Sequence, residues 1–114
     1  MSYRIINLEL GYPDSKLAIS ILKSEITASK KLGYKAIKLI HGYGSSGKGG
    51  RIKSAVQKEL ASQMEMGRIK HFVNGENFSM FCEEGRLATK LCPDLRSDSD
   101  YTASNSGITI IILK

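Results

Sequence analysis

From Tyr3 to Leu10 the chain alternates: Ile6, Leu8 and Leu10 are apolar, Asn7 and Glu9 polar. A period of two predicts a strand. Gly11-Tyr12-Pro13 breaks the pattern, and Asp14 is suited to cap a helix. Ala18, Ile21, Leu22, Ile26 and Leu32 then recur at helical spacing until Gly33 stops them. Ala36 to Ile40 predicts a short strand, and the nine residues Gly42 to Gly50 a polar loop. Ile52, Ala55, Val56, Leu60 and Met64 form the apolar stripe of a second helix, from Arg51 to about Met66, closed by Gly67. Ile69 to Val73 predicts a third strand, and Asn74-Gly75 a turn.

The signal weakens between 76 and 106. Met80 to Leu91 has the composition of a helix ending before Pro93, while residues 97 to 106 (SDSDYTASNS) predict a mobile polar loop. Gly107 to Leu113 is β-branched and almost continuously apolar, as a central strand should be. The order β-α-β-α-β-(α)-β predicts one α/β domain spanning 1–114. The expected architecture is a two-layer sandwich, a four-stranded mixed sheet with helices on one face.

Composition narrows the class. The chain has 114 residues, enough to bury a core without staples. No apolar run reaches the roughly 20 residues of a membrane span, so no membrane partner is expected. The first seven residues lack the apolar region of a signal peptide, and Cys82 and Cys92 have no CxxC spacing. Both read as free thiols of a cytoplasmic protein. The net charge of +6 is unevenly placed: residues 30 to 70 hold ten basic residues and two acidic ones, +8, leaving −2 elsewhere. A local positive field attracts polyanions.

The centre of that span is His41-Gly-Tyr-Gly-Ser-Ser-Gly-Lys-Gly-Gly-Arg51. Its five glycines let a ligand approach main-chain N–H groups closely. It opens onto a helix, whose N-terminus favours an anion. The candidate phosphate-binding residues are Gly42, Tyr43, Gly44, Ser45, Ser46, Gly47, Lys48, Gly49, Gly50, Arg51 and Lys53. Nine residues is long for a strand-to-helix connection, where two to six is usual. Gly42 to Lys48 fits GxxxxGK, but Gly49 stands where a P-loop needs Ser or Thr for Mg²⁺. Gly42, Gly44 and Gly47 fit GxGxxG, but the third strand ends in Asn74, not in the acidic residue a dinucleotide site needs.

The segment IKLIHGYGSSGKGGRIKSAVQKEL resembles the Smr (small MutS-related) domain. In that family a strand ends in His-Gly-x-Gly, followed by a small-residue loop and a helix beginning with a basic residue. His41-Gly42-Tyr43-Gly44 and Arg51 match, as do the upstream capped helix and the closing strand Gly107-Ile-Thr-Ile. The likeness covers most of the chain except residues 76 to 106, which read as an insertion, and the loop is longer than the family's HGxGxG. The resemblance implies a fold like the C-terminal domain of a bacterial translation initiation factor. It also implies nucleic-acid binding, DNA or RNA, with endonuclease activity in several members. The family's first strand ends in Leu-Asp-Leu-His-Gly, whose Asp and His are implicated in cleavage. Anchored on Gly11, Leu8 and Leu10 stand in their places, and alternation points Glu9 to the opposite face.

His41, at the strand end beside the glycines, is the candidate catalytic acid/base or phosphate donor. His71, mid-strand, reads as structural. Tyr12 and Tyr43 flank the loop and could stack on a base. Glu76, Glu83 and Glu84 read as a solvated face. Cys82, Cys92, His41 and His71 fit no metal spacing. No cofactor is expected, and a divalent metal only if the chain cleaves. The alternative reading is a small phosphate- or nucleotide-binding protein using the same loop.

Overall fold

The computed structural model describes residues 2–9, 14–42 and 48–114. Strand β1 (Tyr3–Asn7) leads to α1 (Ser15–Lys31), β2 (Ala36–Ile40), α2 (Lys48–Glu65), β3 (Ile69–Asn74), α3 (Glu83–Leu91) and β4 (Ile108–Leu113). Short 3-10 turns, Gly75–Asn77 and Pro93–Ser97, flank α3. The sheet order is β1-β2-β4-β3; β1 and β2 run parallel, and β4 is antiparallel to both its neighbours. The three strands that each follow or precede a long helix therefore share one direction. Their carboxyl ends lie at one pole of the molecule.

Local chemistry sets the helix ends. The Asp14 carboxylate accepts the Leu17 N–H at 2.8 Å, capping α1. Gly33 reverses the chain after it, at φ +84°. Helix α2 starts at Lys48, three residues before the expected Arg51, so Gly49 and Gly50 belong to its first turn.

Strand alternation divides the core. Ile37, Leu39, Ile111 and Leu113 face α1 and α2, meeting Leu22, Ile26, Val56 and Leu60. Ala36, Ile108, Ile110 and Ile112 face the other way, against Phe78, Ala88, Cys92 and Leu95. The mixed four-stranded sheet with its two long helices on one face is the expected α/β arrangement. The shorter α3 covers the opposite face, and the chain from 75 to 106 supplies that cover. Burying β4 on both faces explains its unbroken apolar run: all six residues are buried.

One position of β2 breaks the apolar rule. Lys38 lies mid-strand on the α3 side and is buried. Its ammonium contacts Asp98 Oδ1 at 2.8 Å and pairs with Asp100. Asp98 also accepts the Tyr3 hydroxyl at 2.8 Å and the Asp100 N–H at 2.9 Å. Burial alone would lower the Lys38 pKa, but the bonds to Asp100 and Asp98 outweigh it and raise it. Burial and the bond to Asp98 push the Tyr3 hydroxyl up to about 12. Residues 97 to 106, expected as a mobile loop, are therefore folded into successive turns. Their carboxylates neutralise a buried lysine, and Asn105 ties the segment to itself through Asp100 and the Gly107 N–H.

Removing the lysine leaves two carboxylates in a largely buried site. Lys38→Met should destabilise the fold by about 3 kcal/mol or more, read from urea denaturation midpoints. A loss under about 0.5 kcal/mol, the size of an ordinary surface change, would show that the network holds nothing together.

Candidate functional site

The glycine-rich segment joins the carboxyl end of β2 to α2, at the pole where β1 and β3 also end. Tyr43, Gly44, Ser45, Ser46 and Gly47 lie outside the described residues, as do Leu10, Gly11 and Tyr12. Gly42 has φ +85°, a conformation that side chains rarely adopt. Its N–H and that of His41 both donate to the Gly107 carbonyl, each at 3.0 Å. The chain just before β4 thus fixes the take-off direction of the loop.

His41 continues the alternation of β2 toward the α1/α2 side and is fully buried. Its Nδ1 lies 3.0 Å from the Gly42 carbonyl and its Nε2 2.8 Å from the Thr109 hydroxyl. A carbonyl can only accept, so Nδ1 carries the proton and the Thr109 O–H donates to Nε2. Burial lowers the pKa of the ring, and the nearby Lys53 adds to that. This neutral ring has both nitrogens spent on the protein. The residue expected to act as acid/base instead sits beneath the loop entrance and holds Gly42 and β4 together.

The other predicted residues are divided. Arg51 is exposed in the first turns of α2, and the first turn contains Lys48 and no acidic residue. Lys53 is internally satisfied: its ammonium donates to the Ser106 carbonyl at 2.8 Å and pairs with Glu76 at 3.1 Å. Glu76, expected on a solvated face, is thus a partner of the site. Its partial burial opposes ionisation, but its own backbone N–H and Lys53 hold its pKa below the usual range. Gln57 adds a bond to Asn74 at 3.0 Å, so α2 is clamped to the ends of β3 and β4.

Sequence alternation misplaced one carboxylate. The strand ends at Asn7, whose side chain accepts the Glu9 N–H at 2.8 Å in a tight local turn. Leu8 stays in the core, and the Glu9 carboxylate comes round against Gly42, where a Cβ would collide with it. The signal for this was the Asn two residues earlier, since Asn side chains commonly turn the backbone two residues on.

The remaining candidates lie elsewhere. His71 bonds the Glu84 carbonyl at 3.3 Å, tying β3 to α3. Cys82 and Cys92 are free thiols, the latter buried. Among the described residues no three His, Cys, Asp or Glu side chains group to hold a metal, and no helix is long and apolar enough to cross a membrane.

Folding stability should carry the signature of the buried neutral ring. A lowered folded pKa means that the unfolded chain takes up a proton first as pH falls. The stabilisation is complete above the unfolded value of 6.5 and is lost as pH drops from there toward the lowered folded value. Denaturation midpoints should fall between about pH 7.5 and 5.5, and this fall should be smaller in His41→Gln. An equal fall in both proteins would mean that the ring titrates freely. In comparisons with known proteins, no family model matches the chain, and no curated protein or solved structure matches it significantly.

Proposed function

We propose that the pole at which α2 begins is a phosphate-binding site for the backbone of a nucleic acid, and that the protein binds rather than cleaves it. The observation that carries this is the start of α2. A helix N-terminus disfavours cations, yet Lys48 and Arg51 stand there without an acidic residue in the first turn. A helix N-terminus offers N–H groups to an anion, and a sequence that adds basic residues and no acid to that turn suits a phosphate. The loop entering this turn is aimed by Gly42, which His41 and Gly107 hold in place. The His-Gly-x-Gly resemblance to the Smr domain supports the same ligand class.

Binding without cleavage follows from the side chains. The His41 ring turns no nitrogen outward. Leu8, standing where the resemblance places a cleaving carboxylate, is buried in the core. Glu9 reaches the loop entrance, and its charge opposes an incoming phosphate.

The Lys48→Ala/Arg51→Ala double variant tests the reading, with fluorescence anisotropy on a labelled oligonucleotide over a salt series. Affinity should fall, and the salt slope should drop by roughly one for each cation removed. Affinity and slope equal to the parent's would remove the loop from nucleic-acid binding. A shallow slope in the parent itself would favour a small phosphorylated ligand, since each phosphate neutralised on a duplex adds about 0.9 to the slope.

Glu9→Gln should strengthen binding severalfold at low salt, since a unit charge about 4 Å away in water is worth roughly 1 kcal/mol. Weaker binding in this variant would show the carboxylate to be a working part of the site, through the loop or through a cation, and would end the assignment of Glu9 as a repulsive neighbour.

A further inference from the structure

We infer that the bound backbone does not stop at the loop pole but continues along the outer side of α1 to a second, lysine-lined anion site at the opposite pole. This extends the phosphate-binding reading above, which supplies its starting point. The basic residues from 30 to 70 do not all surround the glycine loop. Lys38 and Lys53 are paired within the protein. Lys30, Lys35 and Lys70, joined by Lys114, line a groove of about 430 Å³ at the far end of the sheet, around Gly33 and Tyr34. Lys30 reaches Arg68 there, donating to its carbonyl at 3.0 Å.

Two further grooves lie along α1 between the poles. One lies between Lys16 and Lys23, bordered by Ala55 of α2. The next runs from Lys23 to Lys31, and the two share Lys23. Among the described residues no Asp or Glu side chain lines any of the three grooves. The single acidic residue of α1, Glu25, is paired with Arg4 at 3.3 Å. Among the described residues, the one ion pair made by these groove lysines is a loose contact of Lys23 with Glu59, at 3.9 Å.

A helix needing only solubility would mix charges and gain from opposite pairs one turn apart. A single-sign row does the reverse, because its members repel one another until a polyanion lies across them. The geometry points to a linear polyanion. From Lys16 to Lys31 is 15 residues of helix, roughly 22 Å at 1.5 Å per residue. That is long enough to follow several successive phosphates of a nucleic-acid strand. A compact phosphorylated metabolite could use one groove and not the row. A strand of DNA or RNA uses all of it.

The test is a Lys16→Gln/Lys23→Gln/Lys31→Gln variant of the full chain, set beside the double variant of the loop. All three positions are exposed, and glutamine is a good helix former, so the fold should tolerate the change. Each protein is titrated with labelled oligonucleotides of about 4 to 16 nucleotides, the span over which small single-strand sites fill, at several salt concentrations. The parent should bind longer oligonucleotides progressively more tightly. The α1 variant should lose that gain with length, lose at least tenfold in affinity for the longest, and show a salt slope lower by about 2 to 3. Parental slope and length dependence in the α1 variant would overturn the track while leaving the loop site standing. A loss confined to the α1 variant, with the loop variant parental, would sustain the track and remove the loop site. Loss of affinity in the loop variant with the length gain intact would sustain both.

Discussion

A lysine placed in the middle of a strand that is buried on both faces must bring its own counter-charge. Lys38 is that residue, and much of the architecture answers it. The cost of burying an isolated ammonium is several kcal/mol or more, so the chain has to deliver carboxylates to the α3 side of the sheet. It does so with Asp98 and Asp100, sixty or so positions later in sequence. Delivering them draws residues 93 to 106 across the sheet. Leu95 then fills the core beside Cys92, and Tyr101 packs on Phe78 with ring centroids 5.0 Å apart. Tyr3 closes the network from the edge strand, so a single polar centre joins β1, β2 and the connection into β4.

The same connection governs the loop pole. Once the turns after Asp100 are fixed, Ser106 and Gly107 arrive where β2 ends. The Gly107 carbonyl takes the His41 and Gly42 N–H groups, and the Ser106 carbonyl takes Lys53. Thr109, one residue inside β4, meets the His41 ring. The buried histidine is thus a peg between two strands, and the glycine behind it, free of the strain a side chain would bring at φ +85°, is held in that direction by the peg and the shared carbonyl. Positioning by a rigid support is what the proposed phosphate site requires.

Most of the scaffold was legible in the sequence because periodicity reports burial. Ile6 and Leu8, then Ala18, Leu22 and Ile26 of α1, Ile52, Val56 and Leu60 of α2 and the solid apolar run of β4 are buried as their spacing requires, whereas Ile21, Leu32 and Met64, counted in the same stripes, are exposed. What could not be read were contacts set by partners distant in sequence. SDSDYTASNS has the composition of a solvated loop, and nothing local reveals that its acids are owed to Lys38. His41 next to glycines has the composition of a catalytic corner, yet Thr109, which occupies its outer nitrogen, is 68 residues away. Glu9 was misplaced for a local reason: alternation was carried two residues past the point where Asn7 turns the chain.

Charge counting failed in the same way, and the failure is informative. A span of +8 suggests one basic patch around one loop, but net charge says nothing of which cations are already spent. Lys38 and Lys53 are neutralised inside the fold, Lys30 and Arg68 meet at the far pole, and the helix between the poles carries lysines along its outer side. Because the parallel strands run from one pole to the other, a chain that rises through β2 and descends through its helices places successive basic residues at alternate ends. The same topology lays α1 between them. What composition presents as a cluster is, in three dimensions, divided between two poles, with Lys16 and Lys23 of α1, outside that span, lying between them, and a row of like charges is stable only to the extent that water and salt screen it. A polyanion of matching length replaces that screening along the whole row at once, whereas a compact anion relieves a single pole. On the proposed reading, length as well as charge would then decide which anion is held.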